Sequence, residues 1–219
     1  MLRITRLRFF KPAILLLVVC FFFIQGNEPV QAGKNAPAEN EPGTLENLLT
    51  AYNSESNTYN LYQACSEKAE KEGFPRAAHL FRAVLRSIKI QMENHAQAIK
   101  KMNGTPKSDL KPPVIKTTAE NLQIAIKQES YKYNNLYPSF LKKARKERNR
   151  LALRTFNFSK SAAAENLKFF NEASVNLEAW EKKERNFLVC VICGNTVTAL
   201  NFDECPICFN PLEKYIAIK

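Results

Sequence analysis

Between residues 44 and 185 the apolar positions follow a helical period in four blocks, and a short cysteine-punctuated tail follows them. Thr44 can cap a first helix beginning near Leu45, and the pattern runs to Glu72, where Gly73-Phe74-Pro75 breaks it. A second helix is predicted from about Pro75 to Met102, stopped by Asn103-Gly104. Pro106, Pro112 and Pro113 make residues 103–116 a crossover rather than an element. Thr117 or Thr118 caps a third helix to about Glu147. Asn149, a residue type that tolerates a left-handed backbone, marks the turn into a fourth helix reaching about Arg185. Connections that run short, long, short give two antiparallel helix pairs joined by one crossover.

An internal repeat supports this arrangement. Glu55-Ser56-Asn57-Thr58-Tyr59 recurs 74 residues on as Glu129-Ser130-Tyr131-Lys132-Tyr133. Leu61-Tyr62, Lys68-Ala69 and Phe81 recur 75 residues on as Leu136-Tyr137, Lys143-Ala144 and Phe156. Two copies of a helix pair are therefore separated by one inserted residue. Equivalent positions in such a duplication face each other across a pseudo-twofold axis, so Glu55 and Glu129 should both point inward.

The strongest chemistry lies in the tail. Cys190-Val191-Ile192-Cys193 is followed after 11 residues by Cys205-Pro206-Ile207-Cys208. Two Cys-x-x-Cys turns at that separation can fold back as facing knuckles and present four thiolates in a tetrahedron, as zinc and single-iron sites require. Two local disulfides, or four free thiols of a redox module, are the alternative. The rest of the cysteine count favours metal: without a leader that includes Cys20, Cys65 is left over, and an odd number does not suit a disulfide framework.

Residues 1–32 read as a secretory signal. Arg3, Arg6, Arg8 and Lys11 precede the apolar run Pro12–Ile24, and Val30-Gln31-Ala32 resembles a cleavage site. Thirteen apolar residues are few for a bilayer span, which favours a cleaved signal; an uncleaved membrane anchor is the competing reading. Residues 33–43 form a linker. The net charge of +11 falls to +8 once the leader's net +3 is set aside. The remaining basic residues are interspersed with glutamates along the helices, which describes a solvated surface. No nucleic-acid module is recognisable.

At this point the sequence resembles the rubrerythrin family over roughly residues 44–215. Glu55-Ser56, Lys71-Glu72-Gly73, Thr118-Ala119-Glu120-Asn121-Leu122, Leu136-Tyr137-Pro138 and the four-cysteine tail carry the resemblance. It implies a mainly α fold: a ferritin-like four-helix bundle over 44–185, followed at 186–219 by a small rubredoxin-like or zinc-ribbon-like β module. It also implies a homodimer and a redox partner protein. Family members carry a di-iron centre in the bundle and reduce hydrogen peroxide with electrons from the module's iron.

The resemblance fails at most di-iron ligand positions. Glu55 and Glu129 match, but Lys132 stands where a second glutamate of the third helix belongs. The Glu-x-x-His pairs of the second and fourth helices fall on Ile88 and Gln91 and on Ala163 and Asn166. Five of seven positions are thus replaced, and His95 lies off this register. A di-iron centre is not expected. Instead the Lys132 ammonium should sit between Glu55 and Glu129, with Ile88 and Ala163 filling apolar volume. Cys190, Cys193, Cys205 and Cys208 should hold one iron or zinc. Phe209, where a small residue would best let backbone N–H groups reach sulfur, makes zinc a serious competitor. The implied function is an exported electron-transfer or oxidative-stress protein. An active peroxide reductase with atypical ligands, and a zinc scaffold that binds another protein, are the alternatives.

Overall fold

A computed structural model describes residues 42–219, so the predicted signal and most of the linker lie outside the described residues. Helices α1 (Thr44–Lys71) and α2 (Pro75–Lys101) form the first antiparallel pair. After the crossover, α3 (Thr118–Tyr131) and α4 (Tyr137–Lys146) act as one long rod that packs on α5 (Arg150–Val175). No described helix is long and apolar enough to cross a membrane.

The rod is not a single α-helix. Lys132–Leu136 forms a π-helical turn between α3 and α4. This is where the repeat offset changes from 74 to 75 residues, and one extra residue is what a π-bulge accommodates without breaking a helix. The inserted residue is absorbed there, and Leu136 and Tyr137 still face the core.

Several helix starts are capped by carboxylates from elsewhere in the chain, which satisfy N–H groups that a helix cannot pair internally. Glu147 accepts from Thr44 N at 3.1 Å; Glu181 accepts from Arg76 N and Ala77 N, each at 2.8 Å. Glu72 takes both the N–H and the hydroxyl of Thr118 at 2.7 Å, and these bonds lower its carboxyl to about 2. Thr117 caps α3 in a reciprocal box with Glu120. Thr44 is not itself a cap: Gly43 occupies that position, and Thr44 is the first helical residue. Asn149 does cap α5, accepting from Ala152 N at 3.0 Å, but Arg148 takes the left-handed conformation at φ 54°.

The fourth helix ends earlier than its pattern suggests. Asn176 leaves the helical region and caps the short α6 (Leu177–Glu181) through Ala179 N. An asparagine side chain competes with the helix for backbone donors, which favours a restart at this position. The restart places Trp180 in the core and brings Glu181 to the start of α2. Arg185 stacks over Trp180 at 3.6 Å.

The tail folds as a three-stranded antiparallel sheet in the order β2–β1–β3, from Thr196–Val197, Leu188–Cys190 and Tyr215–Ala217. Phe158 of α5 joins the module's small core. Phe187 enters the bundle core, and His79 on α2 bonds the Ile218 carbonyl at 2.8 Å. The bundle core itself divides in two. One cluster gathers Tyr62, Phe81 and Phe170; the other gathers Leu48, Ile99, Tyr137 and Phe156. On α1, α2 and α5 alike, buried polar residues lie between the two clusters in sequence.

Candidate metal centre and the polar core of the bundle

The four cysteines of the tail converge. Their Sγ atoms all lie within 4.8 Å of one another, with Cys190–Cys208 at 3.7 Å and Cys193–Cys205 at 3.6 Å. A tetrahedral ion with metal–sulfur bonds of about 2.3 Å requires sulfurs about 3.8 Å apart. Those separations run between the two knuckles; within each knuckle no disulfide forms, since all four cysteines are free. The donor set therefore fits one tetrahedral metal ion, and the local-disulfide reading is set aside. Among the described residues this is the one cluster of cysteine, histidine and carboxylate groups suited to an ion.

Each knuckle turns through a left-handed residue. Gly194 has φ 79° and Phe209 has φ 56°, and each donates its N–H to the carbonyl of the first cysteine of its pair at 2.9 Å. The two sites differ in surroundings. A Cβ on Gly194 would come within 2.9 Å of the Ser87 carbonyl, whereas the Phe209 side chain is 70% exposed. Phe209 thus keeps the knuckle conformation and projects its ring into solvent. The expected obstruction does not arise, and the Asn210 N–H reaches Cys208. The Cys190 thiol is lowered to about 5, chiefly by the Cys193 thiol, despite its burial, with help from the Cys193 and Ile192 N–H groups. Tyr215 donates its hydroxyl to Cys205 Sγ at 3.2 Å.

This asymmetry has a measurable consequence. Gly194→Ala should destabilise the module by about 2 kcal/mol or more, from left-handed strain and the Ser87 contact. Phe209→Gly should change stability by less than about 1 kcal/mol, because relieved strain offsets added unfolded-state entropy. Denaturant titration of the metal-loaded protein checks both.

The bundle's polar core is built from both halves of the repeat. Lys132 Nζ donates to Glu55 Oε2 at 2.7 Å and to Glu129 Oε1 at 3.1 Å. All three side chains are essentially removed from solvent. Tyr137 donates to Glu55 Oε1 at 2.5 Å, and Tyr62 donates to Glu129 Oε1 at 3.1 Å. The tyrosines are repeat partners, and so are the glutamates; each tyrosine serves the glutamate of the other half. Asn166 Nδ2 donates to Glu129 Oε2 at 3.2 Å. Gln91 is buried but bonds Ser87 instead, at 2.9 Å. Ile88 and Ala163 are fully buried on α2 and α5.

His95, off the ligand register, joins this network at one remove. Its Nδ1 lies 2.9 Å from Thr155 Oγ1, and its Nε2 lies 3.1 Å from Ser159 Oγ and 3.4 Å from the Tyr137 hydroxyl. Burial lowers its pKa to about 4, so the ring is neutral near pH 7. Its signal in the sequence is that a four-residue shift of register would bring it to a ligand histidine position, with Met92 then where a glutamate belongs. In the sequence Tyr62 and Tyr137 stand out as repeat partners, with nothing to mark their hydroxyls as donors to the glutamates.

Electrostatics make the three charged groups one unit. Burial alone would push Lys132 down, but Glu129 and Glu55 together hold it above the usual lysine range. Burial raises Glu129 above the usual carboxylate range, against the opposing pull of Lys132. Burial and the adjacent carboxylates push both tyrosines far up, so they remain donors.

A duplicated four-helix bundle with a four-thiolate β module defines a ferritin-like protein with a rubredoxin-like tail. Comparison with family models matches residues 46–183 to Rubrerythrin. The chain is 31% identical over 179 residues to rubrerythrin-2 of Clostridium acetobutylicum, covering 80% of this chain and 96% of that protein. It is 29% identical over 175 residues to nigerythrin of Nitratidesulfovibrio vulgaris, covering 80% and 86%. Among solved structures, nigerythrin in a mixed-valence state superposes with a TM-score of 0.75 at 27% identity, covering 82% of this chain and 88% of that one. The chain belongs to the rubrerythrin family.

Proposed function

We propose that this protein is an exported, single-metal member of the rubrerythrin family that transfers electrons through iron held by Cys190, Cys193, Cys205 and Cys208. In this reading the bundle keeps the family's architecture without its di-iron pair. One observation carries it: the Lys132 ammonium lies 2.7 and 3.1 Å from Glu55 and Glu129, the two carboxylates that remain at ligand positions. Two iron ions need several anionic oxygens and imidazoles. Here the centre offers two carboxylates already bound to a cation, and the neighbouring positions are Ile88, Gln91, Ala163 and Asn166. That donor set does not fit a metal pair. The ammonium supplies part of the positive charge that metals would give. Bound iron would supply a one-electron couple, and half-buried Cys208 beside exposed Phe209 marks the edge where a redox partner can approach. Cleavage near Ala32 would release the chain from the cytoplasm, and it would act as a homodimer.

Metal analysis with visible spectroscopy tests this. The expected result for protein from iron-replete cells is one iron per chain and a thiolate-to-iron absorption that bleaches on reduction. Three irons per chain would restore the peroxide-reductase reading. One zinc and no colour would leave a structural scaffold.

A further inference from the structure

The peptide unit joining Gly194 to Asn195 is engaged at both ends. Its N–H, on Asn195, is directed at the sulfur of Cys193. Its carbonyl, on Gly194, accepts the Ser87 hydroxyl at 2.5 Å. Ser87 Oγ accepts in turn from Gln91 Nε2 at 2.9 Å. Ser87 and Asn195 are buried, as is Gln91. The three hydrogen bonds run in one direction: side-chain amide to hydroxyl, hydroxyl to carbonyl, and, across the peptide, N–H to thiolate. Both Ser87 and Gln91 belong to bundle helix α2, and Gln91 stands at one of the replaced ligand positions.

We infer that Ser87 and Gln91 are positioning residues that raise the reduction potential of the metal bound by Cys193, through the Gly194–Asn195 peptide. The physical steps are general. A hydrogen bond to an amide carbonyl polarises the amide, so its N–H becomes a stronger donor. A stronger N–H···S bond draws electron density from the thiolate and favours the reduced, more negative state of the site. Gln91 strengthens the first link by polarising the Ser87 hydroxyl. Close approach is part of the device: a Cβ at Gly194 would sit 2.9 Å from the Ser87 carbonyl, so glycine allows the knuckle to lie directly on α2. Asn94 holds the same face of the module from two turns further on, donating to the Ile192 carbonyl at 2.9 Å. The bundle thus acts on the thiolate site of its own chain through bonds, without contributing a ligand.

The inference rests on the tail's being a metal site, and the experiment separates the two. Full-length protein, Ser87→Ala and Gln91→Leu are reconstituted with iron, and the ferrous-to-ferric ratio is read at a fixed poise. Ser87→Ala is expected to lower that ratio about threefold, since one link contributes on the order of 10–30% of a hydrogen bond's strength. Gln91→Leu should lower it in the same direction by a smaller factor. Gln91→Leu is the decisive variant, because it leaves the Ser87–Gly194 contact in place and removes only the polarising donor. A Gln91→Leu ratio equal to that of the unaltered protein overturns the relay, even if Ser87→Ala loosens the module. Failure of all three proteins to take up iron refutes the iron site itself, and with it the proposed function on which the inference rests.

Discussion

Lys132→Met lowers the stability of the bundle by about 3–5 kcal/mol at neutral pH, the usual cost of stripping one partner from a buried ion pair. The cause is what remains: Glu55 and Glu129 facing each other without a cation, served by the hydroxyls of Tyr137 and Tyr62. The pH dependence identifies the mechanism. Glu129 is already raised above its ordinary value, and loss of Lys132 removes the influence that holds it down. An acid whose folded pKa is raised favours the fold below its unfolded pKa, and that advantage is lost as pH rises through the folded pKa. The deficit of the variant relative to the unaltered protein should therefore be full at neutral pH and shrink as pH falls. Lys132 is itself raised, so in the unaltered protein its contribution is complete below the ordinary lysine pKa and fades only in strong alkali. Urea titrations of both proteins from neutral to mildly acidic pH measure the difference. A deficit that stayed constant with pH would mean that lost packing, not charge, dominates. Combining Lys132→Met with Glu55→Gln and Glu129→Gln should recover most of the stability, because no unpaired charge is left inside.

Metal removal should have the second large effect, confined to the tail. The module's buried core is Tyr215 and three of the cysteines, with Phe158 borrowed from α5 and a shell of half-buried residues such as Ile192 and Phe202; its sheet has strands of two and three residues. That is too little apolar surface to fold without a staple. Structural thiolate sites contribute on the order of 10–16 kcal/mol of apparent binding energy at neutral pH, which here is folding energy. Stripping the ion with a chelator should expose the amides of Leu188–Cys190 and Tyr215–Ala217 to rapid hydrogen exchange. The core amides of α1 and α5 should stay protected. Cys193→Ser should behave likewise without chelator. Loss of protection throughout the bundle would show that the two parts fold as one unit.

Much of this molecule is legible along the chain because local rules determine it. The four long helical segments follow from apolar period and from proline and glycine breaks, though not the π-helical turn or the short α6 within them. The thiolate site follows from two cysteine pairs, whose spacing fixes their geometry before any long-range contact forms. The inward direction of Glu55 and Glu129 follows from a repeat of 74 residues, and the π-helical turn at Lys132–Leu136 is where the offset becomes 75. The early end of the fourth helix was less visible, because Asn176 interrupts a pattern that Trp180 would otherwise continue.

Other features belong to the tertiary structure alone. Nothing near Glu181 in the sequence says that it caps α2, and nothing near Tyr62 says that its hydroxyl meets Glu129 from the other half. His95 becomes part of the polar core only because α5 brings Thr155 and Ser159 to both of its nitrogens. Phe209 could be judged only once its ring was seen to face solvent while Gly194 lay against Ser87. Short-range periodicity and spacing thus set the elements and the metal ligands. Most partners in the buried polar network are 37 to 107 positions apart, and only packing brings those together.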